Sequence, residues 1–195
     1  MYFPFMMNIG DKPIVIVGGG TVALRKCELF LRFGAAVTVI APEVCEELAS
    51  LDGVQILCQR WEPAQLDAAF AVIAATDDRE VNRAVSAYCQ ARRIPVNVVD
   101  DSDLCSFIVP ATVQRGALTI GVSTAGKSPS LAARIRRELE AQYDESYAER
   151  LELLGTLRAC VLASDMKPKV RTALLKQAAE MELAELCSLL DECDT

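Results

Sequence analysis

The residues with the clearest chemical potential are Gly18-Gly19-Gly20-Thr21-Val22-Ala23, directly after the β-branched run Ile14-Val15-Ile16-Val17. In the pattern Gly18-x-Gly20-x-x-Ala23 the first glycine permits a tight turn, and the second lets backbone approach a pyrophosphate. The small third residue lets the following helix pack close to the sheet. Amide groups at that helix start would then present donors and the positive end of the helix dipole to phosphate oxygens. A glycine pattern alone is weak; one set between a buried strand and a helix is the context in which it binds dinucleotides.

Three carboxylate-bearing strand ends follow. Pro42 and Glu43 come after Val37-Thr38-Val39-Ile40. An acid roughly 20 residues beyond the glycines bonds the ribose hydroxyls in such folds. Glu43 is in range, and it is equally placed to be a first-turn acid of the next helix. No arginine stands beside this strand end to receive a 2′-phosphate, so NAD is expected rather than NADP. Thr76 and Asp77 follow the run Ala71 to Ala75, where either can cap the next helix and also touch a cofactor. Asp100 closes Val96-Asn97-Val98-Val99, at the sheet edge where ligands collect. A carboxylate there can take a proton as hydride leaves for NAD⁺. As a charge run, Asp100, Asp101 and Asp103 read as a solvated loop; their place at the sheet edge argues for chemistry.

The elements that must position these residues alternate. Strands are expected at 14–17, 37–40, 54–58, 71–75 and 96–99, with helices over 21–33, 43–51 and 78–93. In the first helix Val22, Leu29, Phe30 and Phe33 mark the apolar face, with Gly34 as the stop. This alternation implies a parallel sheet with helices on both faces. After Asp103 the period changes. Phe107 to Val113 and Ala117 to Ser123 suit a hairpin around Gln114-Arg115-Gly116, and Ser128-Pro129 opens a helix with Leu131, Ile135 and Leu139 at four-residue spacing. The rest is helical in pattern, broken near Ser164 to Pro168. The expectation is an α/β protein: a Rossmann-type domain over 1–103, a hairpin–helix segment over 104–142 and a helical C-terminal domain over 143–195.

Composition narrows the function. The 195 residues are 52% hydrophobic and 24% charged, which excludes disorder. A formal charge of −7 argues against a nucleic-acid binder. The apolar start, Met1 to Met7, is too short for a signal-peptide core or a bilayer span, so no membrane partner is expected and the protein is expected in the cytoplasm. Eight cysteines occur without a CxxC pair, and there is no histidine. A Cys/His zinc site is therefore unavailable, no metal ligands are assigned, and the thiols are expected reduced and mostly buried.

Five motifs occur in order: Val15 to Lys26, Ala74-Ala75-Thr76-Asp77-Asp78, Val96 to Asp100, Ser106-Phe107-Ile108-Val109-Pro110 and Ser128-Pro129-Ser130-Leu131-Ala132. Together they resemble the precorrin-2 dehydrogenase/sirohydrochlorin ferrochelatase family, the N-terminal part of bacterial sirohaem synthase, closely over residues 1 to about 140. The resemblance implies NAD-dependent oxidation of precorrin-2 to sirohydrochlorin, with Fe²⁺ insertion in many relatives. It implies that Asp100 is the catalytic acid, although the adjacent Asp101 leaves that assignment open. It places nucleotide contacts at Thr21, Val22, Pro42 and Glu43, and a homodimer contact over about 104–142. The chain ends at Thr195, so a methyltransferase domain is expected to be absent and methylation to be done by another protein. A tetrapyrrole with eight carboxylate arms calls for cations, and Arg115, Lys127, Arg134, Arg136 and Arg137 lie in the hairpin and the helix after it. They would serve the substrate, or form an exposed face on which Arg134 and Arg137 pair with Glu138 and Glu140. Two rivals remain. An NAD-sensing module without catalysis would need neither Asp100 nor the hairpin, and a dehydrogenase of small hydroxy acids usually needs a His or Lys acid/base.

Overall fold

The computed structural model describes residues 2–193, with side chains followed as far as Leu190. The chain forms two compact units, Met1–Val109 and Pro110–Thr195. In the first, the β-branched runs become β1 (Pro13–Val17), β2 (Ala36–Ala41), β3 (Val54–Cys58), β4 (Ala71–Ala74) and β5 (Val96–Val98). All pair in parallel, in the order β3-β2-β1-β4-β5. The order reverses beside β1, so a crevice opens between the carboxyl ends of β1 and β4. Ile14 to Val17 and all of β4 are buried, as both faces of a parallel sheet must be.

Helices α1 (Thr21–Arg32) and α3 (Arg79–Arg92) cover opposite faces, with the short α2 (Glu46–Ala49) on the α1 side. Of the expected face Val22, Leu29, Phe30 and Phe33 only Phe30 is buried; the buried stripe of α1 is Ala23, Cys27 and Phe30. The smaller side chains win the inner positions because they let the helix lie close to the sheet. Helix α2 starts at Glu46, three residues after Glu43, which removes the first-turn reading of Glu43.

In the second unit β6 (Ala111–Arg115) and β7 (Leu118–Val122) form an antiparallel hairpin closed by the pair Arg115↔Leu118. Its loop is therefore the two residues Gly116-Ala117, not three, with Gly116 at φ 53° supplying the positive φ such loops need. Pairing begins at Ala111, not Phe107, because Pro110 has no N–H to donate, and Phe107 and Val109 pack instead on the first unit's core. Helix α4 (Pro129–Gln142) opens with Ser128 Oγ accepting from Leu131 N–H. It buries Ala132 and leaves Leu131 exposed. Helices α5 (Ser146–Ala163), α6 (Pro168–Ala178) and α7 (Leu183–Cys193) close around Leu157, Val161, Ala178 and Leu186. The gap before α6 falls where Ser164 to Pro168 predicts it. The gap before α7 has no Gly or Pro to announce it.

The seven described thiols are free, but only Cys27 and Cys89 are buried, and Cys58 and Cys187 are exposed; the expectation of mostly buried thiols fails for these two. The Cys193 thiol lies outside the described side chains. Burial pushes Cys27 up to about 12 and Cys89 up to about 11. Among the described residues no helix is long and apolar enough to cross a membrane.

Candidate functional site

The glycine turn divides its labour three ways. Gly18 has φ 128°, and a Cβ there would lie 2.3 Å from the Ala75 carbonyl oxygen, so the turns after β1 and β4 touch. At Gly19 a Cβ would stand 2.0 Å from the Glu43 carbonyl oxygen, and the Gly19 carbonyl accepts from Cys45 N–H at 2.8 Å. This residue, which the fingerprint leaves unspecified, is the one that seats the β2–α2 loop. A Cβ at Gly20 would meet nothing within 4 Å. Gly20 is exposed and is the N-cap of α1, with no side-chain cap and no acid in the first turn. Thr21, exposed, and Val22, half-buried, begin the helix. An open approach to uncapped amides without a competing carboxylate fits the pyrophosphate of NAD.

The neighbouring loops are fastened around this turn. Pro42 and Glu43 are exposed just past β2, with the Glu43 backbone against Gly19. After β4, Thr76 Oγ1 donates to Asn82 Oδ1 at 2.8 Å, while Asn82 Nδ2 donates to the Thr76 carbonyl at 2.9 Å. Neither Thr76 nor Asp77 caps α3. Asp78 does, its Oδ1 accepting from Glu80 N–H at 2.8 Å and Val81 N–H at 3.3 Å. The helix starts one residue later than the sequence suggests, leaving Thr76 half-buried and Asp77 exposed at the sheet edge.

Asp100 lies two residues past the end of β5, in a turn with φ 62°. Its left-handed backbone costs on the order of 1 kcal/mol for a non-glycine residue. Asp100 is exposed and Asp101 half-buried. The chain then doubles back along β5, which is an edge strand. Ser106 Oγ accepts from Val96 N–H at 2.8 Å, Ser106 N–H donates to the Val96 carbonyl at 2.8 Å, and Cys105 Sγ accepts from Val98 N–H at 3.1 Å. Residues 105–106 thus serve the open edge as a sixth strand would.

Among the described residues three polar side chains are buried: Asn82, Ser86 and Asn97. Asn82 fastens Thr76, Ser86 Oγ donates to the Leu104 carbonyl at 2.7 Å, and Asn97 Nδ2 donates to the Phe107 carbonyl at 3.1 Å. Each ties down a segment at or leading from the sheet's carboxyl edge. Sequence reasoning passed over all three; the available signal was a polar residue on an otherwise apolar element face. Lys26 on α1 is half-buried, and burial, reinforced by Arg25, lowers its basicity, while Asp100 and Cys105 partly restore it.

In the second unit Arg115 is held within the fold. Its Nη1 donates to the Gln114 carbonyl at 2.8 Å, and its Nε lies 3.2 Å from Glu145 Oε1, off the N–H direction. Arg134 pairs with Glu138 at 3.2 Å. Glu140 is taken by Arg136, one turn before it, and not by Arg137. Lys127 and Arg137 are exposed. A groove of about 610 Å³ lies at the opposite, amino edge of the first unit's sheet, between Phe5, Phe30, Phe70, Arg93 and Phe107, and holds none of the candidate residues. Among the described residues no three His, Cys, Asp or Glu side chains are grouped to hold a metal ion.

The family model described as "Putative NAD(P)-binding" matches residues 5–111, and one described as "Sirohaem biosynthesis protein central" matches 115–142. The siroheme synthase of Thioalkalivibrio sulfidiphilus is 40% identical over 95% of this chain and 38% of its own length. That of Methylobacillus flagellatus is 46% identical over 81% of this chain and 34% of its own length. The chain belongs to the NAD(P)-binding family that the first of these models describes. A solved structure titled "SirC, precorrin-2 dehydrogenase" superposes with a TM-score of 0.81 at 26% identity, covering 99% of both chains. The chain spans little more than a third of the curated synthases it matches. In this family the first unit is the NAD-binding module, and its parallel sheet with helices on both faces is as its alternation predicts.

Proposed function

We propose that this chain oxidises precorrin-2 to sirohydrochlorin with NAD⁺. The observation that carries the reading is one sheet edge holding both an uncapped, acid-free helix start beyond β1 and the strained Asp100 turn beyond β5. Bound NAD⁺ supplies the hydride acceptor. The amides at Gly20, Thr21 and Val22 hold its pyrophosphate, Glu43 and Pro42 take the ribose side, and Thr76 and Asp77 line the crevice between β1 and β4. Oxidation removes two hydrogens from the substrate, one as hydride and one as a proton. The Asp100 carboxylate receives that proton and passes it to solvent. Arg115, Lys127 and Arg134 serve the substrate's carboxylates, and for Arg115 and Arg134 this means exchanging a carboxylate of the fold for one of the ligand.

Anaerobic incubation with precorrin-2 and NAD⁺ is expected to yield sirohydrochlorin and one NADH per turnover. Asp100→Asn should lower kcat by roughly 10²–10⁴-fold with NADH affinity kept. A wild-type rate in that variant would remove Asp100 from the chemistry. The reading extends to Fe²⁺ as a further substrate, with Asp100 accepting pyrrole N–H protons, to a homodimer through 104–142 and to the cytoplasm. Ferrous ion with preformed sirohydrochlorin tests insertion with the same two proteins, light scattering tests the dimer, and cell fractionation tests location.

A further inference from the structure

We propose that Cys105 is a positioning residue for Asp100, its thiol closing the turn that presents the carboxylate. The proposal rests on the reading of Asp100 as the proton-handling group. The thiol sits between the two ends of the Asp100 turn. Its sulfur accepts from Val98 N–H at 3.1 Å and stands 3.2 Å from the Val98 carbonyl. The Asp101 carbonyl is also 3.2 Å away, so the single S–H proton has an acceptor on each side of the turn. Direct backbone closure is long, with Asp101 N–H 3.5 Å from the Val98 carbonyl. Asn97 Nδ2 approaches the same sulfur at 3.5 Å while donating to the Phe107 carbonyl, which fixes where the sulfur stands.

The chemistry suits a thiol. Asp100 holds a left-handed backbone that its own side chain does not enforce, and such a conformation persists only where its surroundings over-determine it. Sulfur is large and polarisable enough to span contacts of 3.1–3.2 Å that a hydroxyl would reach only by drawing the turn inward. Burial pushes the Cys105 thiol up, which keeps it protonated and able to donate. Its function here is therefore that of a weak, well-placed hydrogen-bonding bridge rather than a nucleophile.

Cys105→Val and Cys105→Ser separate bridging from filling, since both occupy the space and only serine can accept and donate. The valine variant is expected to lose roughly tenfold to a hundredfold in kcat, with KM for NAD⁺ and NADH affinity within about threefold of wild type. The serine variant is expected to recover most of that rate. If valine does not fold, Cys105→Ala replaces it as the variant without a hydrogen-bonding γ atom, and the serine rate is compared with it. Equal kcat in the serine and apolar variants would overturn the proposal, whatever their melting temperatures. A wild-type rate in Asp100→Asn would instead overturn the reading beneath it, so the two failures are distinguishable.

Discussion

Helices α1 and α3 start at the same edge of the same sheet and face the same problem, since the first N–H groups of any helix lack partners within it. Helix α3 solves it internally: Asp78 accepts from two first-turn amides, and Glu80 adds a negative charge to the positive end of the dipole. Helix α1 leaves it unsolved, with glycine at the cap position, no side-chain acceptor and no acid in the first turn. A helix start with glycine in place of a capping side chain forgoes on the order of a few tenths of a kcal/mol. Where one helix of a pair forgoes it beside a turn whose Gly20 has open space before it, the missing acceptor is best supplied by a ligand anion. The contrast explains why the dinucleotide reading attaches to α1 and not to α3.

The sharpest way to break this comparison is to give α1 the start that α3 has. Gly20→Asp places a carboxylate at an exposed, extended N-cap with room for its side chain. The fold should tolerate it and gain a cap. The dinucleotide should lose the Val22 amide, which the new carboxylate takes together with that of Ala23, and meet a like charge, weakening NADH binding by about 3–4 kcal/mol, roughly 10²–10³-fold in Kd. Fluorescence titration checks the affinity and thermal melting checks the fold. Unchanged affinity in a folded variant would mean that the pyrophosphate does not sit on α1.

The converse change is smaller. Asp78→Ala removes the acceptor of Glu80 and Val81 N–H and should cost about 1 kcal/mol, or roughly 2–4 °C in Tm for a chain of this size. NADH affinity should move by less than about threefold, because the α3 start is already satisfied by the protein. A loss of affinity as steep as that of Gly20→Asp would erase the distinction between the two helices.

The same comparison marks what the sequence could carry. The β-branched runs and the glycine turn are local signals, and the strands of the first unit and α1 fall within a residue or so of where they point. The α3 cap is Asp78 rather than the expected Thr76 or Asp77, because all three are competent caps and the choice depends on Asn82 drawing Thr76 away. The hidden parts of the site are pairings across distance. Gly19 meets Glu43, Ser86 meets Leu104, and Cys105 meets Val98. No composition or period encodes these, because each depends on how a loop returns to the sheet. The cations show the same limit in reverse. The arginine cluster left two readings open, substrate contact or ion pairs along the helix; Arg134 has the expected Glu138 beside it, whereas Glu140 goes to Arg136 and Arg115 lies beside Glu145.

The cations of the two helices extend the comparison to its smallest effect. On α3, Arg83 pairs with Glu80 at 2.9 Å, and Arg92 pairs with Asp67 at 3.0 Å while lying over the Tyr88 ring. On α1, Lys26 is half-buried and makes no ion pair among the described residues. Burial lowers its pKa below the ordinary lysine value of 10.5, and attraction to Asp100 offsets this only partly. Between the lowered folded value and 10.5 the unfolded chain binds the proton more readily than the folded one, so stability from this group rises with pH through that window and is lost as pH falls below it. At neutral pH the wild type therefore carries a small penalty that Lys26→Met removes, a gain of under about 1 kcal/mol. Denaturant melts of the two proteins at neutral pH and near pH 10 check the sign. The methionine variant's advantage should shrink as pH rises, and an advantage that grows with pH would mean that Lys26 is a stabilising cation whose partner is Asp100.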